Sequence, residues 1–64
     1  MKLSTSQRSA LDQAVEHAPV GQLLVFAWWT LFNERKAQEL IDNVESGMIW
    51  KAAYARAKRF ERVK

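Results

Sequence analysis

Lys51, Lys58 and Arg62 fall on one narrow stripe of a helix, with Arg59 beside them. Cations grouped in this way bind anions, and phosphate is the commonest anion they meet. The rest of the chain does not share this charge. Six of the ten Lys and Arg residues lie from Met48 onward, against Glu61 alone of the seven acidic residues. Such a division marks a surface held toward an anionic partner, either nucleic acid or an acidic protein surface. A C-terminal helix gathers cations in any case, because they offset the dipole at that end. That accounts for Arg59, Arg62 and Lys64. It does not account for Lys51, which sits near the opposite pole, where a cation is mildly unfavourable.

Aromatic residues form the second group. Trp28 and Trp29 are adjacent, with Phe26 and Phe32 on either side. Large aromatics fill cores, anchor interfaces and sit at membrane surfaces. Neighbouring residues on a helix point about 100° apart, so both Trp rings do not fit one small core. At least one is expected at an interface. The candidates are Trp28, Trp29, Phe32 and Trp50.

Catalytic equipment is sparse. A nucleophile needs a base, and the base needs a third group to orient it. His17 is the only histidine. It has Asp12 and Glu16 nearby, yet a solvated histidine in the last turn of a helix suits the dipole without any site around it. Glu39, Asp42 and Glu45 sit at helical spacing, but a hard cation takes more oxygens than they supply. There is no Gly-rich phosphate loop. No catalytic residue, metal ligand or cofactor is expected.

These side chains must be positioned by helices. Only two Gly and one Pro interrupt the chain, which favours helix throughout. Ser4 followed by Gln7 reads as a capping box, starting a first helix over about Thr5 to His17 with Leu11, Ala14, Val15 and Ala18 on one face. Pro19-Val20-Gly21 breaks it. A second helix covers Gln22 to Phe32. Its apolar residues point nearly all round the axis, so it needs cover on more than one side. A strand is the rival reading for this segment, but no second strand-like segment exists to pair with it. A third helix starts at Asn33 or continues the second. Ala37, Leu40, Ile41 and Val44 form its stripe, and Ser46-Gly47 stops it, with Gly47 suited to the left-handed cap. A fourth runs from about Met48 to Glu61, with Ile49, Trp50, Ala53, Tyr54, Ala57 and Phe60 on its apolar face.

The fold class is therefore all-α: one domain, a compact bundle of three to four short helices. At 64 residues the core is marginal. Without Cys, and with one His, neither disulfides nor zinc reinforce it. A homodimer is the expected supplement. The Cys-free composition fits the cytoplasm. No secretory leader is apparent in Met1 to Ser6, and the apolar run from Leu23 to Phe32 is too short to cross a bilayer.

Two functions fit this chemistry. One is a small regulatory protein whose basic C-terminal helix contacts nucleic-acid phosphates. The other is a protein–protein modulator, an inhibitor or adaptor of the type carried as accessory proteins by phages and mobile elements, using the aromatic surface and the basic helix against an acidic partner. A helix-turn-helix would use the fourth helix to read bases. The break at Ser46-Gly47 is short for that motif. The fourth helix also lacks the Asn, Gln and Ser that read base edges.

Overall fold

The computed structural model describes residues 3–60, and all regular structure within them is helical. Four helices follow in order: α1 (Thr5–Val15), α2 (Val20–Phe32), α3 (Glu34–Glu45) and α4 (Trp50–Arg59).

The boundaries follow from local chemistry. Ser4 and Gln7 form the expected capping box: the Gln7 backbone N–H donates to Ser4 Oγ, and the Ser4 N–H donates to Gln7 Oε1, each at 3.2 Å. The first helix ends at Val15, two residues short of the expected His17. The chain then tightens, with the His17 and Ala18 N–H groups reaching back three residues to Ala14 and Val15. This turn completes the helix before Pro19, whose ring disfavours α geometry at Ala18.

The second helix begins two residues earlier than expected. Pro19 is its N-cap, extended at φ −63°, ψ 145°. Its carbonyl accepts from the N–H groups of Gln22 and Leu23 at 3.0 and 3.1 Å. Val20 and Gly21 therefore belong to the first helical turn rather than to the break.

Asn33 separates α2 from α3. Its backbone, at φ −148° and ψ 71°, leaves the helical region for one residue. It serves both helices. Its N–H donates to the Trp29 carbonyl at 2.7 Å, and its own carbonyl accepts from Lys36 and Ala37. Asn is among the best residues for the N-terminal role.

Gly47 ends α3 at φ +109°, a conformation that glycine adopts without penalty. The Gly47 N–H bonds the Val44 carbonyl and the Met48 N–H bonds the Asn43 carbonyl, both at 3.1 Å. This is the Schellman pattern. It draws Met48 into the cap of α3, so α4 starts at Trp50 instead of Met48. The connection from Ser46 to Ile49 is thus longer than the expected break. Its length no longer argues against a helix-turn-helix.

The third helix lies at the centre and packs against each of the other three. Its predicted stripe, Ala37, Leu40, Ile41 and Val44, is buried. On α4 the buried residues are Trp50, Ala53 and Ala57. Three alanines at this contact let the α3 and α4 backbones approach closely. α2 adds Trp29, which stacks on Tyr54 with ring centroids 5.3 Å apart. Tyr54 also lies over Trp50, and Phe26 meets Trp50 edge-on at 5.9 Å. The indole Nε1–H of Trp50 donates to Gln22 Oε1 at 2.8 Å, so its one polar atom is satisfied.

Candidate functional site: a basic edge and an apolar helix face

The exposed side of α4 carries Lys51, Lys58 and Arg59, with Arg56 beside them. All four reach solvent because the opposite face of the same helix is committed to the core through Trp50, Ala53 and Ala57. Lys51 and Lys58 are separated by two helical turns, about 10 Å along the axis. Arg62 lies outside the described residues, as does the expected extension of α4 to Glu61.

Lys36 joins this surface from another helix. Its Nζ donates to the Lys58 carbonyl at 2.8 Å. The same ammonium lies 5.7 Å from the centroid of the Trp29 ring. One cation thus offsets the partial negative charge at the end of α4 and rests on a π face. An ammonium has three donors, so this hydrogen bond leaves others for a ligand. The contact brings the first turn of α3, with exposed Arg35, beside the last turn of α4. Lys36 thus joins the basic side of α4 in one edge, with the exposed Arg35 and Glu34 in the same turn of α3.

Lys36 and Arg35 were not among the sequence candidates. In the sequence they stand next to Glu34 and Glu39, on the acidic half of the chain, and look like ordinary solvated positions. A basic pair in the first turn of α3, where cations are disfavoured, was the available signal.

The aromatic candidates divide. Trp28 is 61% exposed and Phe32 68% exposed, and their rings meet with centroids 4.4 Å apart. Trp29 and Trp50, expected at an interface, are instead core residues: at 7% and 3% exposure they present little surface to a partner. For the tryptophan pair, the angular step between neighbours sends Trp29 inward and Trp28 outward. For Trp50, the first position of α4 faces α2, where Phe26 and Gln22 meet it, and Tyr54 of its own helix lies over it.

Around Trp28 lies an apolar face with no ionisable side chain. Val20, Leu24, Leu31 and Phe32 are all at least two-thirds exposed. Leu23, Phe26 and Trp29 occupy the other side of α2 and face the core. α2 is apolar on both sides, and its own chain covers only one. No described helix is long and apolar enough to cross a membrane.

A separate cleft of about 480 Å³ opens between α1 and the α3–α4 connection, with His17 and Gln13 as its polar lining and Trp50 among its apolar lining. His17 is exposed there, and no group of three His, Asp or Glu comes together among the described residues. No protein-family model, curated protein or solved structure matches this chain.

Proposed function

We propose that this chain is a non-catalytic regulatory binding protein whose basic edge contacts nucleic-acid phosphates. The observation that carries the reading is the hydrogen bond from Lys36 to the end of α4. It gathers cations of α3 and α4 onto one surface, where sequence distance had kept them apart. Lys51, Lys58 and Arg59 make the principal contacts, and Arg35 and Arg56 extend them. The contacts are assigned to backbone phosphates: α4 has none of the amides that read adenine, and base reading would fall to its Lys and Arg on guanine alone. In this reading the chain works as a homodimer in the cytoplasm, with α2 as the surface of association.

A second reading is favoured by Trp28 and Phe32. Their exposed, mutually packed rings have the composition of an interface hot spot, which fits a modulator whose aromatic face meets apolar surface of a protein partner while the basic helix meets its acidic surface. The two readings part on a simple preparation. Protein purified at low salt carries nucleic acid, visible as excess absorbance at 260 nm and removable by nuclease. The same protein washed at high salt loses it. Protein that is free of nucleic acid at low salt, yet folded, overturns the first reading and leaves the second.

A further inference from the structure

We infer that the exposed face of α2 is covered by a second copy of this chain, with the two α2 helices antiparallel and the two-fold axis between Ala27 and Trp28. The inference rests on the reading of the protein as a homodimer and specifies its geometry.

Area supports a second copy. Val20, Leu24, Trp28, Leu31 and Phe32 are between 61% and 74% exposed. Large side chains of this kind present on the order of 600 Å² per copy, at the upper limit of what a lone protein leaves in one patch. Complete cover of both faces would remove up to about 1,200 Å² from water, the lower bound of a specific interface. Charge supports it as well. α2 bears no ionisable side chain, so two copies meet on this face without like-charge repulsion. A strongly charged partner would find nothing there to pair with.

Shape then selects the direction. Leu24, Ala27 and Leu31 recur at the three-and-four spacing of a helix–helix seam, with Trp28 beside Ala27. In a parallel pair each residue faces itself. Trp28 would press on Trp28, and Ala27 on Ala27 would leave a gap. In an antiparallel pair with its axis between residues 27 and 28, each Trp28 lies over the other copy's Ala27. Leu24 meets Leu31 twice, once in each half. Large faces small at the centre of the pair, and the two helix dipoles oppose.

The absence of Cys makes single-cysteine variants clean reporters. Leu24→Cys and Leu31→Cys are placed at exposed positions, and circular dichroism confirms that each folds. Each is oxidised alone and as an equimolar mixture, then read on a non-reducing gel, beside sedimentation equilibrium of the unmodified protein at micromolar concentration. The inferred geometry gives a dimer in solution and several-fold more covalent dimer in the mixture than in either variant alone. Within one antiparallel pair, the two copies of position 24 stand about 10 Å apart along the axis, beyond disulfide reach. A solution dimer whose variants cross-link alone as well as in the mixture is parallel. That result, or a dimer that cross-links in none of the three, overturns this geometry and leaves the homodimer standing. A monomer at every concentration overturns both.

Discussion

Trp50→Ala unfolds most of this protein under conditions in which Phe32→Ala leaves it folded. Trp50 is 3% exposed, contacts Phe26 and Tyr54, and hydrogen-bonds Gln22 from across the bundle. Removing a buried Trp costs about 3–5 kcal/mol, through lost transfer energy and the cavity left behind. A domain of this length has roughly 3–9 kcal/mol in total. Gln22 would also lose its partner, and α4 its anchor at the first turn. Phe32 belongs to the same aromatic group as Phe26, where a buried ring would carry a similar cost for its loss. Its 68% exposure removes that expectation, and Phe32→Ala should change the stability of the single chain by less than about 1 kcal/mol. Urea titrations followed by far-ultraviolet circular dichroism, at a concentration low enough to exclude association, measure both. If the two variants melt together, or Phe32→Ala is the worse, the core described above is wrong.

That contrast shows what was legible in the sequence. The break between α2 and α3 at Asn33 stays open in the sequence, whereas the helical segments, the capping box at Ser4, the stripe on α3 and the left-handed glycine at position 47 follow from local rules. Each depends on neighbours within a few residues, so a sequence states it almost completely. The helix ends shifted where two motifs competed for the same residues: Met48 looks like the start of α4, and the cap of α3 takes it. The site was legible in part. Lys51, Lys58 and Arg59 stand out because α4 is strongly amphipathic. α2 carries no such pattern, being apolar on both faces, so nothing local separates Phe26 inside from Phe32 outside. Which face turns inward is decided by α3 and α4, at a distance in sequence. Lys36 was missed for the same reason, since its partner Lys58 is brought to it only by the packing of α3 on α4.

Reversing two charges of α4 together, Lys51→Glu with Lys58→Glu, should weaken nucleic-acid binding by at least about 10²-fold at low salt, because two phosphate contacts become two repulsions. The fold should survive. Both side chains are exposed. Glu at position 51 sits in the first turn of α4, where an acid suits the dipole, and Glu at position 58 is opposed by it in the last turn; the two effects, each about 0.3–1 kcal/mol, nearly cancel. The Lys36 hydrogen bond is made to the backbone carbonyl of residue 58, so the substitution leaves its acceptor in place. Fluorescence anisotropy with a labelled random duplex, beside a thermal melt, measures both quantities. Unchanged affinity in a folded double variant would remove α4 from the interface. Should the partner be an acidic protein instead, the reversal would act mainly on association rate, and Trp28→Ala would cost more affinity.

Binding of the basic edge through phosphate charge has one signature, the dependence of affinity on salt. Each phosphate neutralised releases condensed counterion, so the slope of log K against log salt counts the contacts. Lys51, Lys58 and Arg59 alone give a slope of about −2.7 on duplex DNA and about −2.1 on single strands, and further cations of the edge steepen both. Duplexes of unrelated sequence should fall on the same line. The measurement is the wild-type titration of random duplex and single-stranded oligonucleotides across a range of salt. Slopes at least this steep, shallower for single strands and independent of sequence, are expected. Absent binding at low salt, or an affinity that salt does not change, would contradict it.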